Sequence, residues 1–384
     1  MSTSINNPSI GELRLFHTAD FHLGSPFSGL DPRASESRRR EQLEIFAAAI
    51  SQASESRCSA ILIAGDLFDC GYVDRQTVKS VFDILGGAGM PVIIAPGNHD
   101  PMTRGGVYSA KDMPENLFIF DSPQMSYLDF PELHLRIHGY AFESERYTDD
   151  PLSSGEISVA PNSYNVLLAH ADIYSPLSTY APINLRQLES VGFDYVALGH
   201  IHKYDEPVRI GKTLVAYSGF PVGRSFDECG FGGALIVTLS PSDTLTSSAD
   251  RIILSDKRYI SESLDVTGVS GRNELSAAIK KYVSDRGYGR ETSLRLHLTG
   301  SVDPAFHCDP LLSASDLGLA LLDLRNDTLP ILNVEYLEND LTLRGALYRQ
   351  LSPDLNHPDP YRRKVAAEAL RMGLAAIEGR AVLS

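Results

Sequence analysis

The sequence has no run of the roughly 20 consecutive apolar residues that a membrane-spanning helix needs. Its first eleven residues, Met1 to Gly11, are polar and lack the apolar core of a signal peptide. Neither a membrane span nor export is expected, and the protein is expected to be soluble and cytoplasmic. Cysteine is scarce: Cys58, Cys70, Cys229 and Cys308 are scattered, with no C-x-x-C pair. That argues against a disulfide framework and against a thiolate zinc site. Positive charge is also short, with 34 Lys+Arg against 49 Asp+Glu and a net charge of −15. A protein that coats nucleic acid by bulk charge would carry the opposite sign, so any contact with a polyanion must be local. Internal repeats and low-complexity tracts are absent as well.

What remains is a globular composition, 43% apolar and 22% charged over 384 residues. That length exceeds one ordinary core and calls for a large domain plus a smaller one. Leu13 to His17 reads as a first strand and ends at Thr18-Ala19-Asp20-Phe21-His22. Leu43, Phe46, Ile50 and Ala53 recur at helical spacing within Ser35 to Arg57. Ala60 to Ile63 is a short buried strand ending at Gly65-Asp66-Leu67-Phe68-Asp69. A helix from Asp74 to Leu85 leads to Val92-Ile93-Ile94-Ala95 and the turn Pro96-Gly97-Asn98-His99-Asp100. This is an alternating β-α-β-α-β half with ligand-bearing turns at its strand ends, where open α/β sheets bind ligands.

The pattern then changes to strands without long helices between them, at Leu117 to Phe120 and Leu133 to His138, which predicts a second sheet. Residues 143 to 163 read as an exposed loop. Val166 to Ala169 ends at His170, and Tyr195 to Leu198 ends at Gly199-His200-Ile201-His202. Leu214 to Tyr217 and Ala234 to Val237 complete the sheets. Ser240 to Asp250 is a candidate boundary. Beyond it the spacing predicts a helix near Asn273 to Val283, a strand at Leu294 to Leu298, a helix near Ala314 to Leu324 and a strand at Ile331 to Tyr336. A last helix, Tyr361 to Gly379, carries Ala366, Leu370, Leu374 and Ile377 on one side.

Collected in order, the strand-end donors are Asp20, His22, Asp66, Asn98, His170, His200 and His202. Seven oxygen and nitrogen donors suit two divalent ions sharing one carboxylate. Imidazole with carboxylate and amide oxygen favours Mn, Fe or Zn over Mg or Ca, with Mn the first expectation. Two such ions, roughly 3.5–4 Å apart, can activate a shared water and neutralise the non-bridging oxygens of a phosphoester.

D-x-H, G-D-x-x-D, G-N-H-D, a later lone His and G-H-x-H, in that order from about Leu13 to Leu239, resemble the calcineurin-like metallophosphoesterases. The resemblance implies a four-layer α-β-β-α sandwich with a smaller C-terminal α/β capping domain. It implies that Asp20, His22 and His202 hold a first metal, that Asn98, His170 and His200 hold a second, and that Asp66 bridges them. His99 would be the general acid, with Asp69 and Asp100 supporting their neighbours. Within that superfamily His22 to Phe27, Tyr217-Ser218-Gly219 and Gly223 to Glu228 are similar to segments of the SbcD- and YhaO-like DNA-repair exonucleases. The implied division is a nuclease domain over residues 1–255, a capping domain over 256–350 and a C-terminal helical segment over 351–384. The implied partners are DNA, an SMC-like coiled-coil ATPase docking near the chain end, and a second copy of the chain. Some relatives carry His in place of Asp69.

The remaining histidines read as structural: His17, His134 and His138 lie inside strand patterns, and His297, His307 and His357 lie outside the matched region. Ser37-Arg38-Arg39-Arg40 reads as the solvated face of an amphipathic helix.

Overall fold

The computed structural model describes residues 11–27, 31–69, 71, 73–109, 113–155, 157–241, 246–303, 311–331 and 334–377. Cys70, His307 and Cys308 lie outside these residues. The chain forms two compact units, Met1–Arg258 and Tyr259–Ser384.

The first unit begins with β1 (Leu13–Thr18), α1 (Pro32–Glu55), β2 (Ala60–Ile63), α2 (Arg75–Gly86), β3 (Val92–Ile94) and β4 (Leu117–Ile119). β5 (Ser126–Phe130), β6 (Leu135–Gly139), β7 (Tyr164–His170), α3 (Leu185–Val191) and β8 (Tyr195–Gly199) follow. β9 (Val208–Ile210), β10 (Thr213–Tyr217) and β11 (Gly230–Leu239) complete the set. Within this unit one sheet runs β11-β1-β2-β3-β4 and the other β5-β6-β7-β8-β10-β9. β1 to β4 are parallel and β11 runs antiparallel to β1.

Alternation along the strands divides the apolar side chains among three cores. Leu15, Leu62 and Ile93 of the first sheet meet Val166, Leu168 and Ala197 of the second in a shared interior. The intervening residues Phe16, Ile61, Ile63 and Ile94 face Phe46 and Ile50 of α1 and Val81, Phe82 and Leu85 of α2. On the far side Leu167, Val196 and Leu198 pack with Leu188 of α3 and with Tyr140 and Phe142. The layers are therefore helix, sheet, sheet and helix, the sandwich that the resemblance implies. β2 is apolar on both faces because both faces are covered.

α1 starts where Asp31 accepts from the backbone N–H of Arg33 and Ala34, and Pro32 occupies the first turn. Arg38 pairs with Glu41 at 2.7 Å and Arg39 with Glu36 at 2.9 Å. His17 points into the space between the sheets, with Nδ1 2.8 Å from the Tyr195 hydroxyl. Burial lowers its pKa to about 3, so it is a neutral packing residue. His138 lies 3.1 Å from the Ser158 carbonyl. The strand expected from Leu133 begins only at Leu135, because Pro131–Leu133 forms a 3-10 turn closed by a left-handed His134. Residues 143 to 163 are not uniformly exposed: Pro151 and Leu152 are buried in a further 3-10 turn, Pro151–Ser153.

A long strand, β12 (Ser248–Asp265), carries the chain past Arg258. In the second unit α4 (Arg272–Asp285) and β13 (Thr292–Thr299) are followed by β14 (Ser301–Val302), β15 (Leu321–Asn326) and β16 (Leu329–Pro330). α5 (Val334–Asn339), α6 (Leu343–Leu355) and α7 (Pro360–Ile377) end the described chain. Leu294, Leu296 and Leu298 of β13 pack on Leu275, Ile279 and Val283 of α4. Two expectations fail here. Ala314 to Leu324 is not a helix: Gly318, at φ +68°, ends a one-turn 3-10 helix, and Leu321 onwards pairs in parallel with β13. Of the strand expected at Ile331 to Tyr336, residues 332 and 333 lie outside the described residues, and Val334 to Tyr336 are helical, within α5. Short leucine-rich runs fit either period, and packing on β13 decides the first of them. The stripe on α7 packs inside its own unit, Leu370 and Leu374 against Tyr348 of α6 and Leu337 of α5. Residue 350 falls inside α6. Among the described residues no helix is long and apolar enough to cross a membrane.

Candidate metal centre

Five strand ends carry the expected donors to one end of the first unit. Asp20 and His22 follow β1, Asp66 follows β2, Asn98 follows β3, His170 ends β7, and His200 and His202 follow β8. The backbone locks the turns to one another: Asp20 N–H donates to Gly65 O at 3.0 Å, and His22 N–H to Asp66 O at 2.9 Å. Asp20, His22, Asp66 and His200 all have positive φ, at 57°, 46°, 49° and 96°. Left-handed backbone at non-glycine residues costs of order 1–3 kcal/mol each and is held only where surrounding structure enforces it, typically at functional sites.

Asp100 enforces it at Asp66. Fully buried, its carboxylate accepts from the N–H groups of Gly97 at 2.7 Å, Asp66 at 3.1 Å, Leu67 at 2.8 Å and Phe68 at 3.2 Å. It also accepts from the Tyr108 hydroxyl at 2.5 Å. One side chain thus ties the turn after β2 to the turn after β3. Asp100→Ala leaves these buried donors unmatched and is expected to cost about 3 kcal/mol of unfolding free energy. Urea unfolding in EDTA measures it, and a loss below about 1 kcal/mol, the worth of one ordinary hydrogen bond, would show the turns to be held otherwise. Gly97 is needed for a different reason: a Cβ there would lie 2.3 Å from Asp66 Oδ1.

Within this frame the donor atoms converge. Asp20, His22 and His202 offer ligand atoms all within 4.8 Å of one another, as do Asp20, Asp66 and His170. His22 Nε2 is 3.3 Å from His202 Nε2 and 3.6 Å from Asp66 Oδ2. Asp66 Oδ2 is also 3.4 Å from His170 Nε2, so Asp66 stands between the two sets. His170 Nε2 is 2.9 Å from Asn98 Oδ1, and its ring centre is 5.1 Å from that of His200. The backbone N–H of His200 donates to the Asp20 carboxylate at 3.1 Å. The structure therefore brings all seven expected donors together.

His99 stands at the mouth, its side chain 47% exposed. Its ring meets that of His22 edge-on at 4.6 Å, its Nδ1 is 3.6 Å from Asp69 Oδ1, and its backbone N–H donates to Asp66 Oδ1 at 2.8 Å. Asp69 raises the His99 pKa against the effect of burial. Asp69 also takes the Ser25 hydroxyl at 3.2 Å.

The charge balance fits a cation. Burial raises the pKa of Asp20 to about 7 and raises that of Asp66 as well, since two carboxylates share a dry space. Burial lowers His170 and His200 to about 4 each and puts His22 well below the ordinary imidazole value. His202 shifts the other way: burial lowers its pKa, but Glu228 and Asp20 outweigh that and raise it. Three neutral imidazoles, His22, His170 and His200, with free lone pairs beside carboxylates short of counter-charge form a donor set that a divalent ion completes. Nδ1 of His170 faces Ala64 O at 2.9 Å, which leaves Nε2 to face Asn98 and Asp66.

Sequence reasoning gave no site role to two residues that touch this cluster. Glu228, 3% exposed, places Oε1 2.8 Å from His202 Nδ1. Arg224 binds that carboxylate through Nε at 3.0 Å and Nη2 at 2.5 Å. Burial opposes the Glu228 charge, but the hydrogen bonds from His202 and Arg224 outweigh it and hold the carboxyl at about 2. The signal available beforehand was the segment Gly223 to Glu228 itself, a glycine-led stretch with paired Arg and Glu.

The metallophosphoesterase YhaO of Bacillus subtilis (strain 168) is 28% identical over 304 residues, covering 76% of this chain and 72% of its own. Among solved structures, TT1561 of Thermus thermophilus gives a TM-score of 0.40 at 12% identity, over 63% of this chain and 99% of that one. A dimetal phosphatase from Danio rerio gives 0.37 at 13%, over 65% of this chain and 100% of that one. The model of the calcineurin-like phosphoesterase family matches residues 13–204, half of the chain and the whole run of donors from Asp20 to His202. This chain therefore belongs to the calcineurin-like phosphoesterases, hydrolases that work with divalent metals.

Proposed function

We propose that the chain is a Mn-dependent DNA nuclease, an exonuclease with single-strand endonuclease activity, acting at a two-metal site. The observation that carries the hydrolytic part is the convergence of two buried carboxylates, four imidazoles and one amide on a single space. Asp20, His22 and His202 would hold one ion, Asn98, His170 and His200 the other, and Asp66 would serve both. When bound, the ions polarise the phosphoester and lower the pKa of the attacking water. His99, half-exposed and held towards its protonated form by Asp69, would donate a proton to the leaving oxygen.

The choice of DNA rests on the three segments similar to DNA-repair exonucleases, two of which border the donors. Ser25 lies between Asp69 and Arg224, and Glu228 lies against His202. On this reading the second unit would cap the site, its last helices would dock an SMC-like coiled-coil ATPase, and a second copy of the chain could pair with the first. An end-labelled duplex and a single strand, incubated beside bis-p-nitrophenyl phosphate with Mn2+, test the reading. The expected result is shortening of the duplex and cutting of the single strand, both abolished by EDTA. Hydrolysis of the small ester with DNA left intact would make the protein a small-molecule phosphodiesterase or phosphomonoesterase. Purified protein that takes up no metal would make it a scaffold.

A further inference from the structure

The contacts of Glu228 go beyond closing a loop. Its Oε1 faces His202 Nδ1 at 2.8 Å, while Oε2 accepts the backbone N–H of Arg224 at 2.8 Å. A carboxylate next to one imidazole nitrogen keeps the proton on that nitrogen and leaves the other with a free lone pair. In His202 the free nitrogen is then Nε2, which looks at His22 Nε2 across 3.3 Å and at Asp20 Oδ1 across 3.7 Å. A carboxylate 3% exposed needs a partner of opposite charge, and Arg224, clamped to both oxygens, is that partner. The guanidinium reaches on: Arg224 Nη1 is 3.4 Å from Ser25 Oγ, and Ser25 Oγ is 3.2 Å from Asp69, the carboxylate beside His99. His202 alone among the histidine donors has a side-chain carboxylate on the ring nitrogen turned away from the cluster, among the described contacts.

We propose that Glu228 is a positioning residue, which fixes the tautomer and the ring orientation of His202 so that Nε2 serves one of the two metal ions, with Arg224 neutralising it. This rests on the two-metal reading above and assigns Glu228 to one ion only, the one shared by Asp20 and His22.

The test titrates the metal-stripped full chain with Mn2+ alone in a calorimeter. The wild-type protein is expected to bind two ions; fewer than two would sink the two-metal reading itself. In Glu228→Gln one site is expected to weaken about 10–100-fold, the usual effect of losing an outer partner of a metal ligand, while the other keeps its affinity. The 15N resonances of His202 are expected to lose the pattern of a proton fixed on Nδ1. Hydrolysis is expected to recover as Mn2+ is raised. Glu228→Asp keeps a charge for Arg224 but withdraws the oxygen from His202, so it gives the same one-site loss if the Gln variant does not fold. Asp227→Ala loosens the same loop by removing its contact with Ser225, 3.2 Å away, and is expected to leave both affinities intact. Wild-type affinities in a folded Glu228 variant, or an equal loss in Asp227→Ala, would overturn the proposal.

Discussion

Asp66→Ala is expected to lose metal and activity together, by more than the roughly 10²–10⁴-fold that a proton-transfer residue supplies. The reason is its double duty. Oδ2 stands 3.6 Å from His22 and 3.4 Å from His170, one residue of each donor set, so on the proposed assignment its removal would strip both ions of a shared ligand. Oδ1 meanwhile holds the backbone N–H of His99 at 2.8 Å, so its loss also frees the turn that presents Asn98. Elemental analysis of the purified variant, alongside hydrolysis of bis-p-nitrophenyl phosphate, reads both effects. Retention of two ions per chain would show that Asp66 is not shared between them.

His99→Ala separates chemistry from assembly. The bond that His99 makes to Asp66 comes from its backbone, which alanine keeps, and its imidazole is the most exposed of the rings at the site. Metal content should therefore stay at the wild-type level while phosphodiester hydrolysis falls by about 10²–10⁴-fold, the usual worth of a general acid. Substrates with a good leaving group, such as p-nitrophenolate, need less proton donation and should suffer less than DNA. Unchanged DNA cleavage by this variant with Mn2+ present would remove His99 from the mechanism.

The donor set was legible because each donor sits on a short polar motif directly after an apolar run, and a strand buried on both faces announces its own end. Gly97 was legible only as a member of the turn after β3; that its missing Cβ leaves room for Asp66 Oδ1 shows only in the fold. Glu228 was not. It lies in a loop well beyond His202, and only the packing of that loop against β8's turn brings its carboxylate to Nδ1. Tyr108 was equally hidden, since it reaches Asp100 from a 3-10 turn with no periodic signal. In the second unit the Leu317-Gly318-Leu319-Ala320-Leu321-Leu322 stretch suits a helix as well as a strand. Its pairing with β13, a long-range contact, settles the matter. β12 escaped notice because its exposure alternates in steps of two only over its last six residues, Ile260 to Asp265.

Asp20, His22, Asp66 and Asn98 hang from the first sheet, whereas His170, His200 and His202 hang from the second. An ion gripped by both groups would be a rivet through the sandwich as well as a reagent. The unfolded chain scatters these donors from Asp20 to His202 and has little grip on a metal, so almost all the binding free energy accrues to the folded state. At a hundredfold excess over its dissociation constant, each ion would add about 2.7 kcal/mol, a sizeable share of a typical domain's stability. Free metal concentration would then govern how long the two sheets stay together, and a chelator would weaken the protein's framework in the same act that silences its chemistry.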